Sequence, residues 1–404
     1  MRSVDVIAFA SGRHDQGELA ALKKDLLRRI RAAALFTLDE VEHPAPDRLT
    51  GILVLTGGVE REVLKAIAQL PSPALLIAHP GHNSLPASLE ILARIRQDGG
   101  EGRILFGEPD EIVAGLAQEG AIAETWDRLR FSRVGLIGEP SDWLVASDVD
   151  RAFLKGQLSI ELVEVEIDEL IGRIEGENGA KRTVSGFVKK ARQIVEPEPE
   201  ALRKAGAIYQ GLRSIVDEER LAACTVRCFD LVQRLENTGC YALSRLSDEG
   251  IPAGCEGDLQ SLFSLFIAYL LTGQTAFMGN IASVATADRV VGVAHCTCPV
   301  SMTAAYTIRS HFESNLGVGI EGTIPPGDCT LFRIGGDRLH QLFVREGRTE
   351  ETAFRDDRCR TQVHVHCDEP VDELLAAPLG NHHILLSGRH RETIERFHRR
   401  YLGT

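Results

Sequence analysis

Apolar residues over the first hundred positions fall into short unbroken runs. Between the runs lie stretches where they recur every three or four residues. The runs "VDVIAFA" (4–10), "GILVLTGG" (51–58), "ALLIAHPG" (74–81) and "GRILFGEP" (102–109) end in turn residues and read as buried strands. The stretches "GELAALKKDLLRRIRAAA" (17–34) and "VEREVLKAIAQL" (59–70) carry apolar side chains at i, i+3 and i+4, the spacing of a helix with one face on a core. Strands and helices in alternation imply a parallel sheet covered on both faces. The pattern restarts near residue 133. It predicts a strand at 134–137, a second in "LSIELVEVEID" (158–168), and a long helix in "PEPEALRKAGAIYQGLRSIVDEERL" (197–221).

Two segments echo one another. "RILFGEPDEIV" (103–113) and "RVGLIGEPSDWLV" (133–145) share a strand, a Gly-Glu-Pro turn and an amphipathic start, and they read as β–α turns in which Pro opens a helix. No Gly-x-Gly-x-x-Gly follows any strand, which speaks against a dinucleotide site. After residue 285 the texture changes. "RVVGVAHCTCP" (289–299), "GDCTLFRIGGDRLHQLFVREGRTEE" (327–351) and "CRTQVHVHCD" (359–368) are short β runs divided by turn residues, and a basic amphipathic helix closes the chain at 389–401. The expected fold is α/β: two Rossmann-like parallel-sheet domains at 1–130 and 131–245, then a β-rich, barrel-like domain at 246–404 that carries most of the candidate site.

Polar groups stand out where this pattern does not ask for them. In "GCEGDLQSLFSLFIAYLLTGQTAFMGN" (254–280) an apolar helix over 257–272 begins beside two acids. Asp258 fits a helix N-terminus, where free N–H groups and the helix dipole favour negative charge by ~0.3–1 kcal/mol. Glu256 sits among Gly, Cys and apolar residues, and an ionised carboxylate there needs a cation or donors to offset desolvation. Asn280 closes the stretch and reads equally as a turn residue after Gly279. In "PLGNHHILLSGRH" (378–390), Asn381, His382 and His383 precede a buried strand, so one imidazole is expected to point inward. A carboxylate, an amide oxygen and an imidazole form a mixed oxygen and nitrogen set that suits Mn²⁺ or Mg²⁺.

Composition narrows the classes. The 404 residues carry a formal charge of −13, which argues against a sequence-independent grip on nucleic acid. The longest apolar stretch, Leu262 to Leu271, falls short of the ~20 residues of a membrane helix, so no membrane partner is expected. The N-terminal apolar run reads as a strand and not as a signal peptide. Nine cysteines without a Cys-x-x-Cys pair read as reduced thiols of a cytoplasmic enzyme.

In "VRCFDL" (226–231), "ALSRLSDEGIPAGCEGDLQS" (242–261), "AFMGN" (276–280), "VVGVAHCTCP" (290–299) and "GNHHILLSG" (380–388), the chain resembles the L-fucose isomerase-like group, related more distantly to L-arabinose isomerase. The likeness continues more weakly through "HNSLPASLEILARI" (82–95) and "RVGLIGEPSDWL" (133–144). It implies a divalent metal, usually Mn²⁺, held by a Glu, an Asp and a His between subunits. Glu256 and His382 match two of those positions, and Asn280 stands where the group has Asp. It also implies interconversion of an aldose and a ketose through a cis-enediol, with Glu256 as ligand and base and Asp258 as helper. Asn381 would hold a sugar hydroxyl. His295 would lie near the sugar or serve as a core strand residue. His82 and Asn83 would reach a neighbouring subunit's site or cap a helix. The implied partners are a small sugar and further copies of the chain, in a trimer or hexamer. A non-catalytic sugar-binding or regulatory homologue, or a metal-dependent epimerase or lyase, would use the same cradle.

Overall fold

A computed structural model describes residues 3–45, 48–70, 73–175, 180–350 and 353–403. It divides into two compact units, Met1–Glu124 and Thr125–Thr404, and the division falls inside the helix Pro109–Leu129. In the first unit, β1 (Ser3–Phe9), β2 (Thr37–Glu40), β3 (Leu49–Val54), β4 (Ala74–Ala78) and β5 (Gly102–Phe106) form a parallel sheet in the order β2-β1-β3-β4-β5. Alternation along β3 sends Leu53 to one core with Leu27 and Ile30, and Ile52 and Val54 to another with Val63 and Ile91. Burial on both faces is why these strands read as unbroken apolar runs. At the end of β4, Asn83 occupies the N-cap position of the helix Ser84–Gln97 in the left-handed region, but its side chain makes no capping bond.

The second unit holds another parallel sheet of β6 (Arg133–Ile137), β7 (Glu161–Val165), β9 (Ala223–Val226) and β10 (Ala253–Cys255), in the order β10-β9-β6-β7. β10 lies beyond residue 245 yet is hydrogen-bonded to β9, so this sheet runs past the boundary expected from the pattern of strands and helices. The intervening β8 (Gln193–Ile194) pairs elsewhere. The chain continues through β11 (Phe277–Ala285), β12 (Val290–His295), β13 (Ala305–Arg309), β14 (Gly319–Thr323), β15 (Gly327–Gly335), β16 (Gln341–Glu350), β17 (Thr361–Cys367) and β18 (His382–Ser387). Six of these close into an antiparallel barrel, β11-β12-β17-β16-β15-β18, while β8, β13 and β14 make a small separate sheet. Phe277, Val293, Leu331, Phe343, Val363 and Leu385 belong to the barrel core. The α/β architecture with a C-terminal barrel is therefore the one the hydrophobic pattern predicts.

The second Gly-Glu-Pro turn departs from expectation. Pro109 does open a helix, but after Pro140 the chain runs as an irregular loop until the helix Arg151–Gly156. That loop is occupied with a different task, described below.

The helix Leu259–Thr272 packs against β9 and β10 on one side and against β15 and β18 on the other. Being clasped by a sheet and a barrel, it is apolar nearly all round, and Leu259, Leu262, Phe263 and Ile267 have no exposed surface. Its position predicts an outsized cost for any cavity made there. Phe263→Ala should destabilise the second unit by about 3–5 kcal/mol, read as a shifted urea midpoint with the slope retained.

Candidate metal centre

The end of β10 and the rim of the barrel converge. Cys255 is the last residue of β10, and Glu256 follows it with φ +64°, in the left-handed region that a residue with a Cβ seldom adopts. Gly257 continues the turn at φ +73°, and a Cβ there would lie 2.7 Å from Pro140 Cα and 2.8 Å from Glu139 O. Only glycine fits such a position. The loop after β6 is folded against this turn. Ser141 N–H donates to Glu256 O (2.9 Å), and Trp143 Nε1–H donates to Glu256 Oε2 (2.6 Å). With the backbone and one carboxylate oxygen fixed, Oε1 faces the barrel.

On the barrel side, alternation along β18 turns its two histidines to opposite faces. His383 lies edge-on to Phe343, with ring centroids 5.2 Å apart. His382 faces Glu256 instead, with Nε2 3.6 Å from Glu256 Oε1. Its Nδ1 lies 3.0 Å from Asp258 Oδ2. Both imidazoles are buried, so one of the pair serves the core and the other the site. His295, at the end of β12, brings Nε2 to 4.0 Å from Glu256 Oε1, and its ring lies 5.4 Å from that of His382. Glu256, His295 and His382 thus each offer a ligand atom within 4.8 Å of the others. His382 Nε2 is buried and has no hydrogen-bond partner among the described residues.

Asp258 was expected as an acid–base helper, but it has no exposed surface. Its Oδ1 accepts from Ser261 N–H (2.7 Å), and its Oδ2 accepts from Ser261 Oγ (2.8 Å). The residue caps the helix Leu259–Thr272 and orients His382. Behind it lies Arg333 of β15, also fully buried. Its Nη1 donates to His382 O (2.7 Å) and Ser261 Oγ (2.8 Å), with Asp258 Oδ2 at 3.4 Å; its Nη2 donates to Ser147 Oγ (3.0 Å) and Gln260 Oε1 (3.1 Å); its Nε donates to Leu379 O (3.2 Å). A Cβ on Gly380 would sit 2.6 Å from Arg333 Cζ, so the turn into β18 needs glycine to let the guanidinium through.

Asn280 on β11 is flanked in register by His382 of β18 and Ala294 of β12. It lines the same cavity as Glu256 and His295. Its Oδ1 accepts from Nδ2 of Asn381 (3.0 Å), an exposed residue on the rim. His82 and Asn83 belong to the first unit, where the His82 ring lies between those of His14 (5.7 Å) and His79 (6.1 Å). Sequence reasoning missed Trp143 and Arg333 altogether. It read His295 as lying near the sugar or as a core strand residue, and the geometry groups it with Glu256 and His382.

Burial would raise the Glu256 carboxyl, but His382, His295 and the Trp143 N–H together bring it down to about 2. Burial is likewise outweighed at Asp258, held at about 2 by Arg333 and His382. Desolvation pushes His295 down to about 3, so its ring is neutral. His382 feels the same desolvation, yet the Asp258 hydrogen bond and the two carboxylate charges lift it to about 9.

This donor set fits a metal. Two imidazoles and a carboxylate with an amide beside them favour a first-row divalent ion over Mg²⁺, which prefers oxygen ligands. The unpartnered Nε2 on a ring whose other nitrogen meets a carboxylate is the arrangement that orients a metal-binding histidine.

No protein-family model matches the chain. It is 22% identical over 304 residues to a sulfoquinovose isomerase of Alkalicoccus urumqiensis, covering 72% of this chain and 68% of the relative. It is 22% identical over 298 residues to one of Priestia aryabhattai, covering 70% and 66%. A third, of Clostridium sp. (strain MSTE9), is 28% identical over 149 residues, covering 35% and 33%. The two longer matches thus span about two thirds of the curated relatives' length.

The electrostatics predict a pH profile for the metal-free protein. His382 titrates at about 9 folded and 6.5 unfolded, so its stabilisation is full below 6.5 and is lost as pH rises through 9. His295 and His383, each pushed by burial to about 3, act oppositely, because below 6.5 only the unfolded chain takes up their protons. Melting of EDTA-treated protein should therefore peak near pH 6.5 and fall on both sides, and His382→Asn should flatten the alkaline limb. A wild-type melting temperature that climbs steadily from pH 7 to 9 would contradict this.

Proposed function

We propose that the chain is a divalent-metal-dependent aldose–ketose isomerase acting on a small sugar, with Glu256, His295 and His382 as metal ligands and Asn280 beside them. The observation that carries this reading is the buried Glu256–His295–His382 cluster with its unpartnered Nε2. The similarity to sulfoquinovose isomerases supports the reaction class. When bound, the metal would supply Lewis-acid polarisation of the sugar carbonyl and neutralise charge developing on adjacent oxygens.

The protein's own residues account for the rest. Glu256 is ionised and faces the cavity, so it is the group placed to take a proton from one sugar carbon and return it to the next. Trp143 holds the carboxylate in that orientation. Asp258, shut away from the cavity, sets the angle of the His382 ring and no longer competes as the base. Asn280 brings a neutral oxygen where a carboxylate would add charge, and its bond to Asn381 ties the amide to the rim. His295 enters as a neutral ligand in place of the two roles first open to it, a sugar contact or a core strand residue. The homo-oligomer and the roles of His82 and Asn83 implied by the family resemblance are part of the same proposal.

The test is ketose formation by NMR from a panel of aldoses that includes sulfoquinovose, with Mn²⁺ added to metal-free protein, alongside titration of Mn²⁺ itself. Isomerisation that depends on the metal is expected; a protein that neither binds Mn²⁺ nor produces ketose would refute the reading. Glu256→Gln should abolish turnover with an unchanged circular dichroism spectrum. Asp258→Asn should weaken Mn²⁺ binding by about 10–100-fold, the usual cost of losing the group behind a ligating histidine. Asn280→Asp should tighten binding, because it would add a negative charge to the wall of the same cavity.

A further inference from the structure

Two buried thiols meet at the wall of this cavity. Cys228 opens the helix Cys228–Leu235, Cys255 ends β10, and their Sγ atoms lie 2.9 Å apart. A disulfide bond is ~2.05 Å long, so the two sulfurs are within about 1 Å of bonding distance. Both line the same cavity as Glu256 and His295, which offers a small oxidant a path to them. The β10–β9 register sets Cys255 beside Val226, two residues before Cys228, so the backbone itself brings the two cysteines close. Nothing in the proposed isomerase chemistry uses either sulfur.

We propose that Cys228 and Cys255 form an oxidisable dithiol that closes to a disulfide on reaction with a hydroperoxide and thereby displaces Glu256. The Cys228 sulfur gives up its proton and attacks the peroxide oxygen. A sulfur–oxygen bond forms as the oxygen–oxygen bond breaks, and the alkoxide leaves and is protonated. Cys228 is left as a sulfenic acid. The Cys255 sulfur then attacks the Cys228 sulfur, the sulfur–oxygen bond breaks, and water departs with the Cys255 proton. Two thiols have given up two electrons, and the peroxide has become an alcohol and water.

The consequence for the site follows from the turn. Closing the sulfur–sulfur gap draws Cys255 toward the Cys228 helix, and the next residue is Glu256. That turn has little slack. Gly257 is packed against Pro140, and Ser141 and Trp143 grip the backbone and carboxylate of Glu256. The strain therefore falls on the Glu256 position relative to His295 and His382. This second half rests on the metal-site reading; the disulfide itself does not.

The full-length protein is titrated with hydrogen peroxide, blocked with iodoacetamide and digested with trypsin without reductant. Tryptic peptides 228–234 and 246–289 each contain one cysteine, and Cys240 falls in a third, 235–245. The expected product links 228–234 to 246–289, is released by dithiothreitol, and is absent in Cys228→Ser. Mn²⁺ affinity, compared before and after peroxide, should fall at least tenfold in the wild type and stay constant in Cys228→Ser. Finding both peptides carbamidomethylated after other thiols have been consumed, or Cys228 joined to Cys240, would overturn the inference. A linked pair with unaltered Mn²⁺ binding would overturn its coupling to the site. Reduced protein that binds no Mn²⁺ yet forms the link would instead overturn the metal reading alone.

Discussion

A guanidinium with no exposed surface must have its donors engaged, because an unpaired buried charge costs several kcal/mol. Arg333 meets that demand by gathering four segments around itself. Its partners are Asp258 and Ser261 at a helix start, Gln260 in the same turn, Ser147 in the loop after β6, Leu379 before β18 and the backbone of His382. These are the segments that carry or brace the candidate site. The constraint runs outward from there. Asp258 is shared between the arginine and the His382 ring, so satisfying the buried cation also fixes that imidazole. Arg333 lies behind the ligands and out of the cavity, yet the site's geometry depends on it.

The other half of the site is held independently. Glu256 is carried on a sheet and His295 and His382 on a barrel, with the helix Leu259–Thr272 wedged between the two. Each of the three residues sits at the end of a strand, where the backbone is fixed on one side, and Glu256 and His295 face the cavity. The left-handed conformation of Glu256 is a local cost, tolerated because the surrounding loop over-determines it. Rigid placement of this kind suits the proton transfer proposed for Glu256.

Much of the fold was legible because it rests on period. Unbroken apolar runs and 3.6-residue spacing reflect burial on two faces or one, and burial imprints itself on every residue of a strand or helix. The change to short β runs after residue 285 foretold the barrel for the same reason. Glu256 was legible too, since a carboxylate beside an all-apolar helix contradicts its surroundings. The second Gly-Glu-Pro turn was misread because the local signal for a β–α turn is identical whether the chain continues into a helix or into a loop that grips another segment.

What the sequence alone determined is therefore the set of elements, their class and the few polar residues that their burial makes conspicuous. What only the tertiary structure decided is which of those residues meet. Asp258 fits a helix cap on local grounds, and it is one, but its second oxygen serves a histidine 124 positions away. His295 looked like a core histidine or a sugar contact, because strand alternation says which face a side chain takes and not what lies opposite. Arg333 and Trp143 left no local trace at all. Their roles come from partners 46 to 186 positions distant for the arginine and 113 for the tryptophan. Hydrogen bonds over such separations are set by how a sheet, a helix and a barrel pack, and no pattern of spacing along the chain encodes that.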